Sequence, residues 1–489
     1  MYAGRMRVQQ YQIAGLGHLS TLIVDDATGA AAVVDPRRDV DVYLDAAQRD
    51  DLRIEQVIET HLHNDYVSGG RELAALTGAT HVIGAGAELR YGARGVRGGD
   101  SIEIGGLRLT VLDTPGHTPE SVSYTLADTT RADEPLLMLT GGSLLVGAVG
   151  RTDLLGAETA PAYSQAMYRS LHDVILPHED SVAIYPTHGA GSLCSTGIGS
   201  TTWSTIGYER RHDPLLAPME VDAFARALLH GQPAFPRYFA RMRPINQAGP
   251  RLLGGVLPVI PWVSVDPVES IVAAGGLVVD ARRPDAHAAG HLPGSLSIPL
   301  GGSFGTWLGW VTDHDRPLVL VVDDPADLEE LQRQAYRIGH ESIVGALDGG
   351  IDAWRAAGRP LERTPALAAV DLAIQLRDGP ADRPFVIDVR QPAEYDAGHV
   401  PGAVHIGAGA LADRLDELPR DRPIAVICAS GYRAAVGASI LRSAGFTRVD
   451  WVPDGFDSWA RAGLPVEWGG SAREAAQASH DHPGAPHSH

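Results

Sequence analysis

The sequence predicts a multidomain α/β protein, and three observations point there. The chain has 489 residues, too many for one ordinary hydrophobic core, and length alone suggests roughly three domains. In the first half, short β-rich runs alternate with helix-like segments, and several of the runs end on a histidine: Val57-Ile58 leads to His61, residues 107–112 lead to His117, and residues 182–186 lead to His188. In the second half the sequence repeats itself. Asp280-Ala281-Arg282-Arg283-Pro284, followed by Gly290-His291-Leu292-Pro293-Gly294, returns 108 residues later as Asp388-Val389-Arg390-Gln391-Pro392 and Gly398-His399-Val400-Pro401-Gly402, so two homologous α/β units occupy that half.

Bulk composition narrows the function classes. Hydrophobic residues make up 44% and charged residues 20%, with neither an apolar run long enough for a bilayer nor a signal-peptide pattern at Met1, so a cytoplasmic protein with no membrane partner is expected. A formal net charge of −20 and a pI near 5.4 argue against binding a nucleic-acid backbone. Two cysteines, Cys194 and Cys428, make no disulfide framework, and each stands as a candidate reactive thiol. Lysine is absent, which excludes Schiff-base chemistry.

Taken in order, Thr21-Leu22-Ile23-Val24 and Ala31-Ala32-Val33-Val34 read as a hairpin ending at Asp35-Pro36, and residues 40–48 as a helix. Next comes Thr60-His61-Leu62-His63-Asn64-Asp65-Tyr66, at a strand exit and before a helix-like segment, residues 68–76. Alternation in an extended segment would point His61, His63 and Asp65 to one side, where three ligands converge on a metal. Thr114-Pro115-Gly116-His117-Thr118 puts a third histidine on a turn past a strand, and Thr187-His188-Gly189 adds a fourth.

These strand-end histidines, with the signature Thr60-His61-x-His63-x-Asp65, resemble the metallo-β-lactamase fold over about residues 7–250. The elements Pro115-Gly116-His117-Thr118 and Gly150-Arg151-Thr152-Asp153 resemble its glyoxalase II and persulfide dioxygenase branch. The resemblance implies Fe(II), or alternatively zinc, as cofactor. Two departures matter. Tyr66 stands where the pattern has a second-site histidine, and Thr140-Gly141-Gly142 carries glycine where it has a metal-binding carboxylate. With His61 and His117 retained, three completions stay open. His63 completes a three-histidine face, an acid such as Asp65 or Asp153 substitutes, or metal binds weakly or not at all.

After His188, the loop Gly189-Ala190-Gly191-Ser192-Leu193-Cys194 brings a thiol near the fourth histidine, where a cation would lower its pKa; a buried structural cysteine is the plainer reading. This loop and the segment Ser204–Arg211 resemble persulfide dioxygenases fused to rhodanese domains. The resemblance suggests Arg151, Asp153, Cys194, Tyr208 and Arg210 as substrate-binding residues, the Tyr and Arg side chains holding the carboxylates of a thiol tripeptide such as glutathione.

The two repeats resemble rhodanese domains. In the second, the strand Ile424-Ala425-Val426-Ile427 delivers Cys428-Ala429-Ser430-Gly431-Tyr432-Arg433 to a helix start, where backbone N–H groups and Arg433 favour a thiolate and cradle a terminal sulfur. In the first, Val322 falls opposite Cys428 and is followed by Asp323-Asp324-Pro325, so that copy forms no persulfide and reads as a structural or docking module.

The expected whole is an αββα metallo-β-lactamase sandwich over residues 1–250, then two rhodanese-like α/β domains, 263–362 without the cysteine and 370–468 with it, and a disordered His-rich tail, 469–489. The resemblance implies a cytoplasmic, homo-oligomeric enzyme of sulfide detoxification that acts on low-molecular-weight persulfides such as glutathione persulfide and on thiosulfate. The alternatives are a zinc thioester hydrolase like glyoxalase II, or a silent metal-site domain serving as a binding module beside an active rhodanese.

Overall fold

The structure, a computed structural model, describes residues 6–13, 15–378 and 383–469; the histidine-rich tail expected from the sequence lies outside them apart from its first residue. The chain divides into two compact units. Unit 1 comprises residues 1–259, 302–309 and 329–341, and unit 2 comprises 260–301, 310–328 and 342–489.

Unit 1 is built on two six-stranded sheets. The first runs in the order β1 (Met6–Ile13), β2 (His18–Asp25), β3 (Ala30–Val34), β4 (Arg53–Ile58), β5 (Thr80–Gly84), β6 (Arg94–Val96), with α1 (Asp41–Arg49) between β3 and β4 and α2 (Gly70–Thr77) between β4 and β5. The second holds β7 (Ser101–Ile104), β8 (Leu107–Asp113), β9 (Val122–Asp128), β10 (Leu137–Gly141), β11 (Ala183–Pro186) and β12 (Ser204–Thr205), in that order across the sheet. Alternation along the strands explains the layering. Ile23, Val34 and Ile58 pack with Leu109, Tyr124 and Leu139 in the core between the sheets. The opposite side chains of the first sheet, Leu22, Val33 and Val57, meet Tyr43 of α1 and Leu73 of α2. On the outside of the second sheet, Met138 and Ile184 meet Met167 of α3 (Ala160–Arg169) and Phe224 of α5 (Val221–Leu229); α4 (Ile206–His212) precedes α5, and α6 (Phe239–Ala248) follows it. This is the αββα sandwich expected from the sequence.

Strand direction gathers the histidines. β3 and β4 are parallel, as are β10 and β11, while β8 and β10 each run antiparallel to β9 and so point the same way. The loops after β3, β4, β8, β10 and β11 carry Asp35, His61, His117, Gly142 and His188.

Unit 2 contains two parallel sheets. β13 (Trp262–Val263), β14 (Leu277–Asp280), β15 (Leu296–Ser297), β16 (Leu318–Val321) and β17 (Ile343–Leu347) form a sheet of order β13-β17-β16-β14-β15, accompanied in sequence by α7 (Val265–Ala273), α8 (Pro284–Ala289), α9 (Phe304–Val311), α10 (Asp327–Arg337) and α11 (Gly350–Ala356). After α12 (Ala369–Asp378), the second copy repeats the plan with β18 (Phe385–Asp388), α13 (Pro392–Asp396), β19 (Val404–His405), β20 (Ile424–Ile427), α14 (Tyr432–Ser443), β21 (Val449–Trp451) and α15 (Gly455–Arg461), in the sheet order β19-β18-β20-β21. Asp280 pairs with Val321 as Asp388 pairs with Ile427. The next residues are therefore equivalent, and Val322 occupies the place of Cys428.

Most of α10 belongs to unit 1. The Arg337 guanidinium donates to both Asp39 oxygens at 2.8 and 2.6 Å, Arg333 pairs with Asp41, and Val67 donates its N–H to the Arg337 carbonyl at 2.7 Å. Arg337 and Asp39 are both buried, so these contacts fix the loops after β3 and β4 from outside. Among the described residues, no helix is long and apolar enough to cross a membrane.

Candidate functional site

β4 stops at Ile58, and residues 59–69 form an irregular loop rather than the extended segment expected from alternation. Its shape comes from distant partners. Asn246 of α6 donates to the carbonyls of His63 and Tyr66 and accepts from Ser68 N–H, while Glu120 accepts from Leu62 N–H and is clamped by Arg243 at 2.9 and 2.8 Å.

Asp35 orients the first histidine. Its carboxylate accepts from Thr60 N–H and Thr60 Oγ1, and that hydroxyl lies 2.8 Å from His61 Nδ1. With its own proton given to Asp35, Thr60 accepts from His61 Nδ1–H, which leaves Nε2 as a free lone pair. Likewise His117 Nδ1 donates to the Arg151 carbonyl at 2.8 Å, freeing its Nε2. Burial pushes the His61 imidazole well below its ordinary value, with His63, His117 and His188 acting in the same direction. Burial and then His188 bring His117 down to about 3. Both shifts favour the neutral form that a metal ligand needs.

His188 Nε2 lies 3.4 Å from His61 Nε2. Two nitrogens each about 2.0–2.1 Å from one tetrahedral metal would be about 3.3–3.4 Å apart. On the other side of that ring, Nδ1 is 3.3 Å from Asp65 Oδ2. Burial would lower His188, but the adjacent Cys194 and Asp65 outweigh it and hold the imidazole well above its ordinary value.

His63 is turned differently. Its Nε2 lies 3.2 Å from Asp35 and 3.1 Å from Glu59; burial would lower it, and the two carboxylates instead push it up to about 9. Its Nδ1 is buried without a hydrogen-bond partner, and neither Asp65 oxygen has a well-aligned one. Orphaned buried polar atoms are costly, and a cation among them satisfies both, so the donor set fits a metal. The ligand atoms of His61, His63 and His188, and those of His117, His188 and Cys194, each fall within 4.8 Å of one another.

Tyr66 and Gly142 have structural explanations. Tyr66 is fully buried, stacks on His63 at 4.4 Å and donates to the Asp35 carbonyl; it floors the cluster where a histidine was expected. At Gly142 a Cβ would lie 2.3 Å from His117 Cδ2, so the His117 ring occupies the space a carboxylate side chain would need.

The structure brings His61, His63, Asp65, His117, His188 and Cys194 together and places the other expected residues elsewhere. Arg151 is buried, paired with Asp153 at 2.6 and 2.8 Å, and donates to the carbonyls of Leu193 and Pro233. Its side chain is a strut, and Asp153 is bound to that strut rather than to the cluster. Tyr208 is exposed on α4 against His212, and Arg210 pairs with Asp180 and the carbonyls of Leu176 and His178. Sequence reasoning passed over His18, Glu59, Glu120, Arg243 and Asn246. Asp35, which it noted only as a strand end, carries one visible signal: an acid at a strand exit beside the signature strand.

In the second repeat, Cys428 is buried at the exit of β20, and Gly431 donates its N–H to Cys428 Sγ at 3.1 Å. Gly431 has φ +94° and its Cβ would meet the Pro453 carbonyl at 2.1 Å, so this turn requires glycine. Ala429, Ser430 and Gly431 complete the turn, Tyr432 opens α14 and donates to the Pro299 carbonyl, and Arg433 is bound by Glu394 through two contacts of 2.6 and 2.7 Å.

A sandwich with histidines on one loop edge, followed by two parallel-sheet repeats, one with a thiol at a strand-to-helix turn, defines a metallo-β-lactamase-fold protein carrying tandem rhodanese-like domains. The metallo-beta-lactamase superfamily matches residues 13–188 and the rhodanese-like domain matches residues 264–357 and 369–462. The mitochondrial persulfide dioxygenase ETHE1 of Bos taurus is 31% identical over 205 residues, 40% of this chain and 70% of that protein. The Homo sapiens counterpart is 30% identical over 207 residues with the same coverage. A crystal structure of a metallo-beta-lactamase from Staphylococcus aureus subsp. aureus COL superimposes with a TM-score of 0.64 at 31% identity, covering 70% of this chain and 99% of that one. The chain belongs to the persulfide dioxygenase family of the metallo-β-lactamase superfamily, and its kinship is to enzymes of sulfur metabolism.

Proposed function

We propose that this protein oxidises the sulfane sulfur of a low-molecular-weight thiol persulfide, such as glutathione persulfide, to sulfite, and moves sulfane sulfur to and from thiosulfate through Cys428. The convergence of four buried imidazoles, two of them anchored through Nδ1 so that Nε2 faces the cluster, supports the first activity. Iron(II) held by these side chains would supply the site at which dioxygen and the persulfide meet. The chain's part is to hold the donor atoms: Asp35 through Thr60 fixes the His61 tautomer, the Arg151 carbonyl fixes that of His117, and Asp65 orients His188. The overall conversion balances as persulfide, dioxygen and water giving thiol, sulfite and two protons.

For the second activity, the Cys428 thiolate attacks the outer sulfur of thiosulfate. A new S–S bond forms as the thiosulfate S–S bond breaks, and sulfite departs with the electron pair. The Gly431 N–H and the start of α14 stabilise the thiolate, and Arg433 adds positive charge. A thiol acceptor then takes the outer sulfur by the same exchange. A cytoplasmic homo-oligomer is the expected setting. Tyr66 and Gly142 both weigh against a two-zinc thioester hydrolase, since each removes a ligand.

Oxygen uptake tests the reading. Iron(II)-reconstituted protein should consume oxygen with glutathione persulfide and release sulfite; no uptake, with thiosulfate sulfurtransferase activity intact, would sink the dioxygenase half and leave the domain a binding module.

A further inference from the structure

The metal centre read above lacks an obvious negative charge among its ligands. A divalent cation surrounded only by neutral imidazoles in a buried site is poorly compensated, and Gly142 has no room for a side chain beside His117. Most carboxylates nearby are committed: Asp35 to Thr60 and His63, Glu59 to His63, Glu120 to Arg243, and Asp153 to Arg151. Asp65 faces the outer nitrogen of His188 at 3.3 Å without an aligned hydrogen bond.

Cys194 is the anionic donor grouped with both His117 and His188. Cys194 Sγ lies within 4.8 Å of ring nitrogens of both His117 and His188, and all three residues are buried. Its position is built, not incidental. Arg151 donates its backbone N–H to the Cys194 carbonyl at 2.9 Å while its own carbonyl receives His117 Nδ1, so the backbone of one residue ties Cys194 and His117 to a common frame. The Arg151 side chain grips the neighbouring Leu193 carbonyl, and Ser192 Oγ caps Cys194 N–H. The unpartnered His63 Nδ1 and the poorly satisfied Asp65 oxygens in the same cluster point independently to a missing cation.

We propose that Cys194 is a metal ligand, its thiolate joining His117 and His188 and supplying the charge that Gly142 cannot. The assignment rests on the metal-centre reading and deepens it. Burial holds the free thiol up, although His188 pulls it the other way; a bound cation deprotonates it, releasing one proton per metal. A thiolate among imidazoles selects soft or borderline ions such as Fe(II), Zn(II) or Co(II) over Mg(II), Ca(II) or Mn(II).

The chain has only two cysteines, which makes the test clean. In full-length Cys428→Ser protein Cys194 is the sole thiol, so any thiolate-to-metal signal belongs to it. Anaerobic titration with cobalt(II) should produce a near-ultraviolet thiolate-to-cobalt charge-transfer band that saturates at one equivalent, and this requires no further variant. The band should vanish when Cys194→Ser is added, while Cys194→Asp should keep the cobalt and lose the band. Cobalt on the terminal histidines is bound through nitrogen and adds nothing to that band. A cobalt spectrum that His117→Ala abolishes but that shows no charge-transfer band overturns the ligand assignment and leaves the metal centre standing. Cobalt uptake indifferent to His117→Ala, again without the band, overturns both.

Discussion

The two rhodanese-like copies share one scaffold and differ in one loop. In the first, Arg282 pairs with Asp280 and donates to the Gly290 carbonyl; in the second, Arg390 pairs with Asp388 and donates to the Gly398 carbonyl. His291 stacks on His287 at 3.8 Å as His399 stacks on Tyr395 at 3.6 Å, and each Nδ1 meets the carbonyl of its stacking partner. Trp354 Nε1 donates to Pro360 as Trp459 Nε1 donates to Pro465. The loops part company after the equivalent residues Val322 and Cys428. In the second copy a backbone N–H faces the sulfur; in the first, Ala326 N–H is taken by the Asp324 carboxylate at 2.9 Å. The second copy thus turns a loop N–H toward a thiol, whereas the first has neither the thiol nor, at Pro325 opposite Gly431, an N–H to turn. The buried scaffold stabilises both copies, and the chemistry sits in a few residues that can be lost without unfolding the rest.

Mutation separates what the two copies share from what they do not. The largest effect is expected from Cys428→Ser, which should lower thiosulfate-to-cyanide sulfur transfer by about 10³-fold or more while leaving the unfolding transition in place; retained activity would return the first copy to contention. Next, Asp280→Asn and Asp388→Asn each leave a buried guanidinium short of its counter-charge, and each should cost about 3–5 kcal/mol in denaturant unfolding of its own copy. Unequal losses would show that the shared scaffold is not energetically shared. Trp354→Phe and Trp459→Phe remove matching hydrogen bonds and should each cost about 1–2 kcal/mol.

A smaller, one-sided effect belongs to Glu394, whose place in the first copy is taken by Ala286. Burial would raise the Glu394 carboxyl, but the Arg433 guanidinium outweighs it and holds the group below the ordinary carboxylate range. A lowered acid stabilises the fold above its unfolded-state value and loses that contribution as pH falls through the folded one. Glu394→Gln should therefore cost about 0.5 kcal/mol near neutrality, solvent screening having reduced the half-exposed pair, and the difference from the parent should disappear in acid unfolding. Least of all, Val322→Cys should yield no sulfurtransferase activity in a Cys428→Ser background, because Pro325 stands opposite Gly431 and has no N–H to offer the sulfur.

The same distinction governs what could be read from sequence. Strand-exit histidines, the 108-residue repeat and the Cys428 turn are local patterns, and local periodicity places them well. The loop after β4 was misjudged as extended because its shape is set by Asn246, 183 residues beyond His63, and by Asp35 and Glu120, none of which alternation can see. Arg151 looked like a substrate hook because a sequence gives residue type without direction; its side chain turns to Asp153 and two carbonyls. Tyr208 and Arg210 likewise lie away from the histidine cluster, on a helix end where Tyr208 is exposed and Arg210 meets Asp180. Gly142 showed in the sequence only as a missing carboxylate, and the ring of His117 in its space is a packing fact.

The grip of Arg337 on Asp39, with the Val67 N–H on the Arg337 carbonyl, reaches further than stability. By ancestry the helix that carries Arg337 belongs to the first repeat, yet it walls the loops that hold Asp35, His63 and Asp65. Inheritance and architecture draw different borders through this gene. A deletion that excised the silent repeat as a self-contained cassette would also remove part of the enclosure of the histidine cluster, so the repeat can lose its chemistry but not its residence in the chain.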